Sequence, residues 1–261
     1  MFFISPVQAA AAMAPPLPSG GLARPSVARR PTYPLPACYF SSMKDPFVTK
    51  LREKLRAPLP GRAAQNKMAH GVRRSDVPPP ADARQAGVLA LFYPKATEWH
   101  LVLIERSRSN ANDRHSGQVS FPGGKYEEGD GTLAMTALRE AEEEVGVKPQ
   151  DIELLGHLTE LYIPVSNFLV NPFVGITHQT PSFSPQQTEV QAIIEVPFEL
   201  LCQPQTRQAA DLRIGANITL RQVPCYQVFG KPVWGATAMI LSELLEITAC
   251  PPLPARPLAT K

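Results

Sequence analysis

Four glutamates, Glu140, Glu142, Glu143 and Glu144, fall within five residues shortly after the adjacent glycines Gly123 and Gly124. On a helix, Glu140 and Glu144 are i and i+4, and Glu143 is i+3 from Glu140. These three carboxylates therefore share a face, and Glu142 points elsewhere. Like charges at this spacing repel by roughly a few tenths of a kcal/mol per pair. An all-oxygen cluster suits a hard dication, Mg²⁺ or Mn²⁺, and does not suit zinc. A bound dication would offset the repulsion. The plainer reading is a solvated acidic face, with Arg139 paired to Glu143 and Glu144 to Lys148. The glycines of "FPGG" (121–124) favour the metal reading, because they let backbone approach a ligand closely.

The order of residues narrows the reading. "REAEEEVGV" (139–147) resembles the second half of the Nudix hydrolase signature, G-x5-E-x7-R-E-U-x-E-E-x-G-U with U aliphatic. The first half departs: Asp130 stands where the signature has Glu, and eight residues separate it from Arg139. The coenzyme A pyrophosphatases of that superfamily carry a similar extended box. They also carry an upstream signature like L-L-T-x-R-S-x(n)-H-x-G-Q-V-x-F-P-G-G. "LIERSRSNANDRHSGQVSFPGG" (103–124) is similar to it at Arg106, Ser107, His115, Gly117, Gln118, Phe121, Pro122, Gly123 and Gly124. Glu105 replaces the usual threonine. The likeness covers about residues 85–247.

The resemblance implies metal-dependent hydrolysis of a nucleoside diphosphate derivative, with Mg²⁺ or Mn²⁺ held by Glu140, Glu143, Glu144 and the Gly124 carbonyl. The coenzyme A members cut their substrate to 3′,5′-ADP and 4′-phosphopantetheine. Arg139 is expected to orient the glutamates. Glu189, in "QQTEVQAIIEVPF", is the candidate general base, against the reading of an ordinary exposed carboxylate. Arg106, His115 and Gln118 are the candidate substrate contacts; Arg108 and Arg114 add charge to the same loop. Glu128 and Asp130 are expected as turn residues. Tyr162 and Phe168 flank a polar turn and are candidates for lining a pocket, whereas Phe173 and Trp234 are expected in the core. Two other readings stand: a hydrolase of another diphosphate such as ADP-ribose or a dinucleotide, and a catalytically silent ligand sensor of the same fold. The partner is a small molecule in the first two cases, and a homodimer stays open.

These residues need a frame. Thr132 can cap a helix whose apolar stripe is Leu133, Ala137, Leu138, Ala141 and Val145, with Gly146 as its stop. Two apolar runs, 87–93 and 100–105, read as a hairpin, and "VSF" (119–121) as a brief strand. Further strands are expected at about 152–161, 168–177, 190–196, 211–215 and 218–228. A short helix follows Pro197, and a closing helix spans about 236–247. Asp45 and Pro46 start an amphipathic helix over 46–56. The pattern implies an α/β (α+β) fold, a mixed sheet with helices on both faces. In family terms this is the Nudix α/β/α sandwich. The expected organisation is a Pro-rich extension (1–44), an N-terminal helix and linker (45–84), the catalytic domain (85–248) and a tail (249–261).

Composition limits the alternatives. A net charge of +3 gives no argument for nucleic acid or a membrane surface, and no run is apolar and long enough to span a bilayer. Residues 1–44 hold eight of the 29 prolines and no Asp or Glu. Three readings of that stretch stand: a poor signal peptide, an organelle transit peptide, and untranslated sequence before a start at Met43, which is favoured. The four cysteines are scattered, arguing against zinc and against a disulfide framework and for a reducing compartment, taken as the cytoplasm.

Overall fold

The computed structural model describes residues 45–71, 78–107, 117–214 and 218–248. The expected extension and tail, together with Arg108, Arg114 and His115, lie outside the described residues. The main sheet is built from β1 (Arg84–Lys95), β2 (Glu98–Arg106), β3 (Val119–Ser120), β4 (Gly123–Lys125), β5 (Glu153–His157), β6 (Leu161–Ile163), β7 (Phe168–Ile176) and β8 (Val190–Pro197). Its order is β3-β2-β1-β7-β5, with β4 added to β1, β6 to β7 and β8 to β2. β1 and β7 run parallel and the other pairs antiparallel, so the sheet is mixed. A second sheet of three antiparallel strands holds β9 (Arg207–Ile214), β10 (Ile218–Val228) and β11 (Lys231–Trp234).

Both faces of the main sheet are covered. Leu89, Leu91, Tyr93, Val102 and Ile104 pack with Ala137, Leu138, Ala141 and Val145 of helix α3 (Leu133–Val145). The intervening residues Ala90, Phe92, Leu101 and Leu103 face the other way. They join Val48 and Leu51 of helix α1 (Pro46–Arg56) and Leu241 and Leu244 of helix α5 (Gly235–Ile247). Strands buried on both sides read as unbroken apolar runs, which is how 87–93 and 100–105 appear in the sequence.

The N-terminal segment belongs to this core. Asp45 Oδ1 accepts the N–H groups of Phe47 and Val48 at 2.8 and 3.2 Å and starts α1. The Phe47 ring stacks on Trp99 and meets Phe92 and Phe198 edge-on. The stretch 58–84, expected as a linker or surface wrap, contains helix α2 (Gly61–Gln65) and a 3₁₀ turn, Asn66–Met68. These lie against α5. The buried Glu243 carboxylate accepts from Thr159 Oγ1 at 2.6 Å, Gln65 Nε2 at 2.9 Å and Gly61 N at 3.2 Å. Ser242 Oγ donates to the Ala64 carbonyl at 2.7 Å. Buried polar groups are tolerated only when paired in this way.

Two further features bear on expectations. Cys225 is a buried free thiol, and Cys202 closes the short helix α4 (Phe198–Cys202). Among the described residues no helix is long and apolar enough to cross a membrane.

Leu51 is 1% exposed. Replacing it with Ala should cost about 2–5 kcal/mol, the usual range for a buried leucine. Urea unfolding checks this; a loss below about 1 kcal/mol would mean that α1 is an appendage.

Candidate active site

The carboxylate-bearing helix is placed by caps at both ends. Thr132 Oγ1 accepts the Met135 N–H at 3.2 Å, and Gly146 adopts the left-handed conformation (φ 77°) and returns its N–H to the Glu142 carbonyl. A remote loop completes the C-terminal end. Ser184 N–H bonds to the Val145 carbonyl at 3.0 Å and Gln186 N–H to the Glu144 carbonyl at 3.2 Å, satisfying two otherwise orphaned acceptors. The same loop then turns into β8, where the Glu189 carbonyl accepts Ser107 N–H at 2.7 Å. The end of β2, the end of α3 and Glu189 are thus tied together by backbone hydrogen bonds.

Arg139 is the fixed point of the cluster. Its Nε and Nη2 reach Asp130 at 2.7 and 3.2 Å, Nη2 also meets the Lys125 carbonyl at 3.2 Å, and Nη1 lies 2.9 Å from both Glu140 and Glu143. Asp130 sits in a 3₁₀ turn, Glu128–Asp130, closed by reciprocal capping with Glu127, and also accepts Thr136 Oγ1 at 2.8 Å. The Arg139 hydrogen bonds hold the Asp130 carboxyl well below the usual carboxylate range and push the guanidinium above its ordinary value. Asp130, expected as a turn residue, is both that and the brace of Arg139. The turn carries Asp130, the residue that departs from the signature, to the guanidinium.

The three glutamates occupy different environments. Glu143 is exposed and held by Arg139. Glu140 is partly buried, with its carboxylate packed directly over Gly124; a Cβ at that glycine would run into it. Burial raises the Glu140 carboxyl, Arg139 opposes the rise, and Glu143 and Glu189 add to it. Glu144 is 1% exposed. Its Oε2 accepts Gly123 N–H at 2.8 Å, and its Oε1 lies 3.6 Å from Arg106 Nη1. Burial pushes its carboxyl up to about 8; Gly123 N–H and Arg106 oppose this, and Glu140 and Glu189 reinforce it. The sequence expectation of a Glu144–Lys148 pair is replaced by Arg106, since the side chain turns inward while Lys148 stays exposed.

This donor set fits a hard dication. It offers carboxylate oxygens, one of them deeply buried, beside a strand whose glycine lets Glu140 close against the backbone. Among the described residues no three acidic, histidine or cysteine side chains already converge as a cage. Glu140 and Glu143 are turned toward Arg139, and Glu144 toward Gly123 and Arg106. Glu189 is exposed, and its charge acts on both Glu140 and Glu144.

The other candidates divide. Arg106 and Gln118 close the base of the β2–β3 loop, where Arg106 N–H meets the Gln118 carbonyl at 3.0 Å and Gly117 N–H meets the Arg106 carbonyl at 3.1 Å. Tyr162 donates to Asn167 Oδ1 at 2.9 Å, and Phe168 carries the Arg84 guanidinium 4.0 Å above its ring. Phe173 packs against the core cluster beneath α3, as expected, while Trp234 is only half-buried, at the start of α5. Glu105, the departure from threonine, is buried and bonded to Lys231 Nζ at 2.8 Å. Lys231 has no local signal in the sequence, because its partner is on a distant strand.

A family model described as NUDIX domain matches residues 83–214. A protein named "Uncharacterized Nudix hydrolase NudL", from Klebsiella pneumoniae (strain 342), is 36% identical over 169 residues, covering 64% of this chain and 85% of that protein. "Nudix hydrolase 22, chloroplastic" from Arabidopsis thaliana is 32% identical over 175 residues, 66% of this chain and 57% of that protein. A solved Nudix hydrolase structure from M. Smegmatis, RenU, aligns with a TM-score of 0.45 at 17% identity, over 67% of this chain and 91% of that one.

Glu144 sets a testable pH dependence. Between the ordinary carboxylate value and about 8, the folded protein keeps a proton that the unfolded chain has released, so this group's contribution to stability falls as pH rises. Metal-free E144Q, whose amide oxygen still accepts Gly123 N–H, should therefore gain in Tm over the parent protein between pH 5 and pH 8. Thermal melts in chelator measure the difference; a gain at pH 5 that vanishes at pH 8 would contradict the assignment.

Proposed function

This chain belongs to the Nudix hydrolase family, and on that premise we propose that it hydrolyses the diphosphate of coenzyme A, or of a coenzyme A derivative, to 3′,5′-ADP and a 4′-phosphopantetheine product. The observation that carries the reading is the meeting of two sequence signatures at one carboxylate. Arg106, from the upstream signature found in coenzyme A pyrophosphatases, faces Glu144 of the Nudix box at 3.6 Å, and Gly123, in the glycine pair that closes that signature, donates to the same side chain.

Glu140, Glu143, Glu144 and the Gly124 carbonyl are proposed to hold Mg²⁺ or Mn²⁺. Such an ion, when bound, neutralises the diphosphate and makes water a nucleophile. Glu189, tethered to the end of β2 and sensed by both Glu140 and Glu144, takes the proton from water as general base. Arg139 orients Glu140 and Glu143 from its anchor on Asp130. Arg106 and His115 supply positive charge and hydrogen bonds to the phosphates, and Gln118 braces the turn. The net reaction adds water across one P–O–P linkage, leaving one phosphate on each product. The compartment is proposed to be the cytoplasm. An organelle is the second reading, favoured by the chloroplastic designation of the Arabidopsis relative.

Incubation of the purified protein with CoA, ADP-ribose or NADH and Mg²⁺ tests the substrate. CoA should be consumed with release of 3′,5′-ADP; cleavage of ADP-ribose with CoA intact would exclude the coenzyme A reading. E143Q/E144Q should lose at least about 100-fold in turnover, as when charged groups at a transition state are removed, with unchanged circular dichroism. Undiminished activity would reject the metal assignment.

A further inference from the structure

Arg84, the first residue of β1, is exposed and yet held in one plane. Its guanidinium lies 4.0 Å above the centre of the Phe168 ring, and Nη2 donates to the Ser166 carbonyl at 2.6 Å. The turn beneath it is fixed as well. Arg84 N–H donates to the Asn167 carbonyl at 2.9 Å, Asn167 adopts a left-handed conformation (φ 51°), and its Oδ1 accepts the Tyr162 hydroxyl at 2.9 Å. One face of the guanidinium is taken by the ring, and the other is open to solvent. In the register of the sheet Arg84 pairs with Phe168, and three residues along β1 Gly87 pairs with Gly124, against which Glu140 is packed. Three residues of strand span about 10 Å. Alternation puts Arg84, Ala86 and Val88 on one face of β1. Val88 lies against Gly123, where a Cβ would come within 2.8 Å of its side chain. Ala86 and Val88 thus form a short apolar strip from the glycine pair to the guanidinium.

We infer that Arg84, laid flat on Phe168, is the platform on which the nucleobase of the substrate stacks. The inference rests on the proposed diphosphate site at Glu140 and Glu144, and it adds a subsite for the other end of the nucleotide. Guanidinium planes stack on bases, and every base has a π-face to offer. A long side chain loses rotamer freedom when it is fixed in this way, and an arginine serving only solubility has no need of it. The partners of Arg84 among the described residues are a carbonyl and a ring, with no carboxylate to take up its charge. The plane is therefore presented as well as held, and the strip of Ala86 and Val88 leaves room for a ribose between diphosphate and base. Two other roles give different results in the test. A purely structural stack would tie the turn to β1 and ignore ligand. A phosphate contact would need the charge and not the plane.

The test is calorimetric binding to the full chain with Mg²⁺, using two diphosphates whose bridge is not hydrolysed. α,β-Methylene-ADP carries a base, and methylenediphosphonate does not. The parent protein should bind the first about 10-fold or more tighter than the second, as expected for one stacked base. R84A and R84K should each weaken α,β-methylene-ADP by about 10-fold and leave methylenediphosphonate unchanged. Melting curves establish that each variant is folded. F168L, which removes the ring beneath the guanidinium, replaces one that is not, with the same loss expected. Undiminished binding of α,β-methylene-ADP by R84A overturns the platform, as does equal affinity of the parent for the two compounds. Parent-like binding by R84K beside a loss in R84A overturns stacking in favour of a phosphate contact. Failure of the parent to bind either compound overturns the diphosphate site, and the platform with it. Cleavage of ADP-ribose in place of CoA would correct the proposed substrate and leave the platform standing, since both carry a nucleoside diphosphate.

Discussion

A carboxylate removed from water must be compensated by its surroundings, and at Glu144 the compensation is sparse. Among the described residues, one backbone N–H from Gly123 and a guanidinium at 3.6 Å stand in for the hydration shell. For even these to be present, β4 must run beside the last turns of α3, and β2 must end with Arg106 pointing at the same place. The cap at Thr132 fixes the start of the helix and so the height at which Glu144 arrives. The β1–β7 core beneath fixes its lateral position. A surface carboxylate would require none of this. The fold around the site thus brings an acidic group indoors and holds it beside Gly123 and Arg106.

Arg139 resolves the opposite problem. Glu140 and Glu143 stand close enough to repel, and a guanidinium between them at 2.9 Å from each relieves it. A cation shared among several acids would drift unless anchored, and Asp130 anchors it. Between Asp130 and Arg139 lie Gly131, the Thr132 cap and the first turns of α3, and the 3₁₀ turn that ends at Asp130 delivers the carboxylate.

Features with local causes were legible in the sequence. Thr132 and Gly146 bound α3 as their chemistry requires, Asp45 and Pro46 start α1, and the hairpin follows from two apolar runs around a polar turn. The Arg139–Glu143 contact follows from helical spacing. What escaped was set by distant partners. β4 and β6 are three-residue strands too short to show a period. The helix inside 58–84 is buried through Glu243, on the far side of the chain. Lys148 is the nearest cation in the helical register for Glu144, yet burial selects Arg106, and a rule based on spacing has no means of knowing which way a side chain turns. Glu105 looked anomalous only because Lys231 was out of view.

Gly146 has a second role beyond ending the helix. Ser184 lies against it so closely that a Cβ there would come within 3.0 Å of the serine side chain and 3.2 Å of its backbone. The glycine is therefore a notch into which the β7–β8 loop seats, and five residues further along that loop is Glu189. Chain length between the notch and Glu189 is thus as constrained as the spacing within the helix. The part of the loop between β7 and Ser184 is pinned as well, since Thr180 Oγ1 donates to the Pro94 carbonyl at 2.6 Å and the Phe183 ring meets Tyr93 edge-on, so a residue gained or lost on either side of Ser184 would move Glu189 relative to Glu140 and Glu144.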